Sequence, residues 1–243
     1  MIPKKKDFTF QETVFLILTV SYLLFSFFAR QLIGGHPGNG NVIIGLLALK
    51  LILGVALSIV LYYYYRELLK SQWKKFRHHS WIKLLWVVLG WIGLLLVINM
   101  TRTVLHWTTG FQLKLWNLPS YMGSWGGSWW TKVFGTGLVF LNLLVLSFIL
   151  EVVCRHLLFL KHEGSRGAMV LFGSLGIILH GMAFYSYGDS LQSCLPYALS
   201  GGVLMFIYWQ SRNIWYAINT HLLFNIVIFI LGLTNSFLLP YFS

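Results

Sequence analysis

Apolar runs, broken only by short basic or aromatic segments, follow one another along nearly the whole chain. A helix needs ~20 mostly apolar residues to cross the ~30 Å hydrocarbon layer of a bilayer. Seven stretches have that length and character: 11–33, 42–65, 81–100, 132–157, 167–185, 191–209 and 213–234. The pattern predicts an all-α fold, a polytopic integral membrane bundle of about seven transmembrane helices. It divides the chain into a three-helix membrane region (1–100), an interfacial aromatic and glycine-rich linker (101–131) and a four-helix region (132–235). The basic start "MIPKKKDFTFQE" is followed by a run without a small-residue cleavage site, so that run is expected to remain as a membrane helix.

Charge orients the bundle. Lys4, Lys5 and Lys6 precede the first run, and Arg66, Lys70, Lys74, Lys75, Arg77 and Lys83 crowd the segment between the second and third. Lys161 and Arg166 follow the fourth run, and Arg212 separates the last two. Basic residues thus favour alternate connections, which places the N-terminus in the cytosol and the C-terminus outside. Trp107, Trp116, Tyr121, Trp125, Trp129 and Trp130, with the "YYYY" at 62–65, suit aromatic belts at the membrane surfaces.

Composition narrows the function classes. Apolar residues make up 57% of the chain and charged ones 10%, which excludes an ordinary soluble domain. The net charge of +12 is spread over short clusters rather than a groove or stripe, so the expected partner is the lipid bilayer and not nucleic acid. Two cysteines, Cys154 and Cys194, are too few for a disulfide framework or a cysteine zinc site. The topology also puts them near opposite membrane faces.

Ionisable groups at helix centres cost ~2.5–3.5 kcal/mol each on insertion scales, so they face the bundle and find partners. Glu151 and Arg155 interrupt "FILEVVCRHLLFL", His180 lies in "LGIILHGMAFYSYG", and His221 and Asn225 lie in "WYAINTHLLFNIVIF". Each group has a purely structural explanation. Glu151 and Arg155, four apart on one helix face, read as a locking salt bridge or as an acid with its orienting base. His180 reads as a packed side chain or as a base, and His221 with Asn225 as interhelical hydrogen bonds or as donors to one point.

Together the four polar groups besides Arg155 supply what water attack on a peptide bond requires. A carboxylate and an imidazole activate water, while an imidazole and an amide stabilise an oxyanion. Glu151, His180 and His221 also form a two-histidine, one-carboxylate set of the kind that holds zinc. The chain has no H-E-x-x-H, and the three ligands would come from separate helices, so metal-free chemistry with no cofactor ranks ahead of zinc. Counted along straight helices, His180 lies roughly 13 residues deep, deeper than Glu151 and His221, so convergence calls for tilt or a shifted helix boundary.

At these residues the chain resembles the CPBP family of intramembrane proteases (CAAX proteases and bacteriocin-processing proteins, also called Abi). The family pattern of E-E-x-x-x-R, F-x-x-x-H and H-x-x-x-N appears here as "LEVVCR" (150–155), "GIILH" (176–180) and "HLLFN" (221–225). The lead-in "SGGVLMFIYWQSRNIWYAINTHLLFN" (200–225) is also similar, and the resemblance covers about 130–235. It implies that the first Glu activates water with His180, while His221 and Asn225 hold the oxyanion. Two positions depart: Gly176 stands for the family's Phe, and Leu150 stands for the first Glu. Arg155 makes Glu151 the second Glu of the motif, and on an α-helix its side chain would point about 100° away from position 150.

The reading that follows is an intramembrane endopeptidase, a hydrolase cleaving small membrane-associated peptides, with CAAX-like or bacteriocin-like substrates implied by the resemblance. Glu151, His180, His221 and Asn225 would be catalytic, and Arg155 would support Glu151. The alternative is a catalytically impaired relative, acting in bacteriocin self-immunity or as a membrane scaffold on a bacteriocin or receptor protein, because Leu150 replaces the first Glu. A bacterial cell membrane is the location the resemblance implies.

Overall fold

The computed structural model describes residues 8–35, 40–78, 80–110, 129–184 and 191–237, and the secondary structure in these is helical throughout. Among the described residues, eight helices follow in order: α1 (Phe10–Gly35), α2 (Gly40–Tyr64), α3 (Arg66–His78), α4 (Ser80–Thr109), α5 (Trp129–Leu150), α6 (Arg166–Ala183), α7 (Cys194–Ser211) and α8 (Ile214–Phe237). A wide turn, Glu151–Leu157, extends α5, and a short tight turn at Leu160–His162 follows it. The protein is a polytopic helical membrane bundle. Among the described residues, six helices are long and apolar enough to span: Phe10–Ala29, Gly40–Tyr64, Trp81–Thr109, Trp129–His162, Arg166–Ala183 and Ile214–Leu233. The segment expected as a further span is α7; its Pro196, Ser200, Gly201, Gly202 and Gln210 dilute its apolar content.

Two features differ from the hydropathy reading. The basic stretch after α2 is a helix, α3, with Leu69, Gln72 and Phe76 turned inward and its basic residues turned out. The third span also runs on to Thr109, into the segment read as linker. Thr101, Thr103, Thr108 and Thr109 each return a hydroxyl to the carbonyl four residues back, so these polar side chains sit in the helix without unmet donors. The rest of the linker, with Trp116, Tyr121 and Trp125, lies outside the described residues.

α5, its wide turn, α6, α7 and α8 pack on one another and form the centre. α2 covers α5, α4 covers α7 and α8, and α1 lies against α2 and α6. Large apolar side chains point outward on several spans, among them Phe28, Ile52, Leu96, Val170, Leu171 and Ile230. Such a surface is stable against lipid tails and not against water.

The start of α8 is fixed with particular care. Arg212 ends α7 in the left-handed conformation (φ 53°), reversing the chain within two residues. Asn213 then caps α8, its Oδ1 accepting from Trp215 N at 3.1 Å. Three bonds tie this corner to α3: Asn213 Nδ2 to Gln72 O (2.8 Å), Ile214 N to Gln72 Oε1 (2.6 Å) and Trp215 Nε1 to Leu69 O (2.9 Å). At the other end of the turn region, Lys161 pairs with Glu12, which also closes a capping box with Thr9 at the start of α1.

Candidate active site

The site is built where α5 changes pitch. Beyond Leu150 the chain adopts the wider i to i+5 spacing, seen in the Leu158 N–H bonding to Val153 O at 2.9 Å. A turn of more than four residues keeps Glu151 and Arg155, four apart, on one face. Arg155 Nε lies 3.1 Å from Glu151 Oε2, and both side chains are fully buried.

That pair meets both histidines. His221 Nδ1 lies 2.8 Å from Glu151 Oε1. Arg155 Nη2 lies 3.0 Å from His180 Nδ1 and also donates to Gly201 O at 3.3 Å. The two imidazole centroids are 5.0 Å apart, and one ligand atom from each of Glu151, His180 and His221 lies within 4.8 Å of the others. The three widely separated sequence segments therefore converge despite the apparent difference in depth. His180 is near the end of α6, and the wide turn carries Glu151 and Arg155 to it.

The structure departs from the positions implied by the motif. Glu151, not position 150, reaches the histidines, and Leu150 is fully buried within the apolar core. The hydrogen bond of Glu151 runs to His221, while His180 is held by Arg155. Asn225 does not point at the same place. Its Nδ2 donates to Ser147 Oγ at 2.7 Å and, more weakly, toward Leu143 O at 3.5 Å. This follows from the register of α5 and α8, which run antiparallel with Glu151 opposite His221 and Ser147 opposite Asn225 one turn away. Gly176 lies directly against the wide turn: a β-carbon there would come 2.9 Å from Cys154 O, so the Phe of the motif has no space.

Ser147, Gly201, Phe184 and Tyr197 belong to this region and were not singled out from the sequence. Ser147 was legible in principle, being four residues before Glu151 on the same face. Gly201 sits where a β-carbon would come within 3.0 Å of the His180 Cβ, Cγ and Cδ2, so its lack of a side chain makes room for the ring. Phe184 lies 5.4 Å from the His180 ring and 6.0 Å from that of His221, and stacks on Tyr197 at 4.5 Å. It gives the polar cluster an apolar wall. Cys154 and Cys194 are both buried.

Glu151 Oε2 and Arg155 Nε face each other as an ion pair, whereas Arg155 Nη1 and His221 Nε2 are buried without a hydrogen-bond partner. Unmet capacity of this kind costs ~1–3 kcal/mol per group and is retained where a ligand or reactant uses it. Comparison with known proteins matches residues 132–227 to a family model described as type II CAAX prenyl endopeptidase Rce1-like. No curated protein and no solved structure matches the chain.

Proposed function

We propose that the chain is an intramembrane endopeptidase that hydrolyses small membrane-associated peptides, a reading supported by the match of residues 132–227 to the Rce1-like CAAX prenyl endopeptidase family model. One observation carries this reading: Glu151, Arg155, His180 and His221 come together in one buried cluster, with Glu151 supplying the carboxylate in place of residue 150. A carboxylate–imidazole pair beside a second imidazole can take a proton from water and stabilise the tetrahedral intermediate. Arg155 keeps the Glu151 carboxylate paired in a setting where an isolated charge would be prohibitively costly. Substrates with a CAAX-type C-terminus are the first class to test.

The chemistry proposed needs no metal. Glu151, His180 and His221 are close enough to hold zinc, and zinc there would polarise a carbonyl or activate water. Arg155, however, already occupies the Glu151 carboxylate and His180 Nδ1, and its fixed positive charge opposes a cation at the same point.

A second reading, a catalytically impaired relative serving in bacteriocin self-immunity or as a membrane scaffold, is favoured by Asn225, whose amide donors are both directed at α5. Reconstitution of the purified chain in liposomes with CAAX-ended peptides, prenylated and unprenylated, separates the two. Release of the C-terminal tripeptide by wild type and not by Glu151→Gln supports the protease. Absence of hydrolysis with every peptide supports the scaffold.

A further inference from the structure

Arginine carries five N–H donors and no acceptor, and a carboxylate paired with arginine can only accept. These two rules fix where the ring protons of the histidines must be. Arg155 Nη2 donates to His180 Nδ1, so that nitrogen presents its lone pair and the single proton of the neutral ring sits on Nε2. Glu151 Oε1 accepts from His221 Nδ1, so in the neutral His221 ring the proton sits on Nδ1 and Nε2 presents the lone pair. The two rings are therefore held in opposite tautomers. His221 Nε2 is buried and has no hydrogen-bond partner, as a base waiting for a reactant would be.

We propose that the histidines divide the reaction by these fixed protons: His221 is the base that takes a proton from water, and His180 is the N–H donor that holds the oxyanion. This rests on the endopeptidase reading and reverses the assignment that the motif positions alone imply, in which His180 works with the acid and His221 with Asn225. The water proton passes to His221 Nε2 as the hydroxide oxygen bonds to the substrate carbonyl carbon. The resulting alkoxide accepts a hydrogen bond from His180 Nε2–H. As the C–N bond breaks, the proton on His221 Nε2 moves to the leaving amine, giving a carboxylic acid and an amine. Glu151 orients His221 and offsets its positive charge during the step. Arg155 is a positioning residue, acting through His180 and Glu151.

The test uses the whole chain in detergent micelles with ¹⁵N-labelled histidine, the signals of residues 180 and 221 being assigned with His180→Gln and His221→Gln. An unprotonated ring nitrogen resonates well downfield of a protonated one, so each tautomer is read directly. The proposal expects His180 to be unprotonated at Nδ1 and His221 at Nε2; any other pattern overturns it. Kinetics give a second readout in the liposome assay. His180→Gln keeps an amide N–H donor and should lose less than ~10²-fold, whereas His221→Gln removes the base and should lose ~10²–10⁴-fold. The reverse order overturns the proposal. If wild type hydrolyses nothing, the endopeptidase reading fails, while the ring tautomers still decide whether the proton arrangement is as inferred.

Discussion

The carbonyl oxygen of Cys154 stands 2.9 Å from the point that a β-carbon on Gly176 would occupy. The departure from the family motif at 176 thereby follows from the wide turn. The wide turn that begins at Glu151 presses its backbone onto α6, and only glycine leaves space for it. Restoring the family's residue with Gly176→Phe should therefore destabilise the protein by at least the ~1–3 kcal/mol typical of overpacking. A lowered midpoint of thermal unfolding in detergent, with reduced recovery of monodisperse protein, is the expected result.

Leu150→Glu should fail to restore a missing acid. Position 150 is fully buried within the apolar core, so the new carboxylate would lack a partner there. Uncompensated burial of a charge costs several kcal/mol. The variant is expected to accumulate poorly in membranes and to cleave no faster than wild type, as measured by yield and by peptide hydrolysis in liposomes.

Removing one member of the buried ion pair should be worse than removing both. Arg155→Met leaves the buried Glu151 carboxyl without its guanidinium, a change that typically costs ~3–5 kcal/mol. The double variant Glu151→Met/Arg155→Met should recover much of that loss while remaining inactive. Thermal unfolding of both singles and the double, treated as a mutant cycle, measures the coupling directly.

Most of the fold was legible because lipid imposes a simple rule: backbone groups must bond within their own helix, and outward faces must be apolar. The positions of α1, α2 and α8 therefore follow closely from hydropathy. α3 was hidden because its basic residues read as a loop, although Leu69, Gln72 and Phe76 at three- and four-residue spacing marked an inward face. The convergence of Glu151, His180 and His221 was legible from residue chemistry. The pairing within it was not, because it depends on an i to i+5 turn that no residue type signals. Asn225 shows the same limit: its spacing from His221 promised a shared target, yet the antiparallel register gives it Ser147.

A smaller prediction concerns acid stability at the membrane surface. Arg212 hydrogen-bonds Glu163 and holds its carboxyl below the usual carboxylate range. A depressed folded-state pKa means the pair contributes stability above the unfolded pKa and loses it as pH falls through the lower folded value. Both side chains are about half exposed, so the contribution should stay below ~1 kcal/mol. Glu163→Gln should lower the unfolding midpoint slightly at neutral pH and leave the difference from wild type absent at the acid end.

Chelation offers a check on metal-free chemistry. With Arg155 occupying the Glu151 carboxylate and His180 Nδ1, prolonged dialysis against a strong chelator should leave peptide hydrolysis unchanged. Loss of activity restored by added Zn²⁺ would instead assign Glu151, His180 and His221 as ligands.

The central claim is that Glu151 supplies the essential carboxylate of an intramembrane protease. The most direct measurement is a comparison of peptide termini in membranes from cells producing wild type, Glu151→Gln or Leu150→Glu at matched levels. The account predicts termini that are present with wild type, lost with Glu151→Gln and not increased by Leu150→Glu. Termini that appear only with Leu150→Glu would contradict it, placing the catalytic position at residue 150 and making the natural chain a protease fold without its acid.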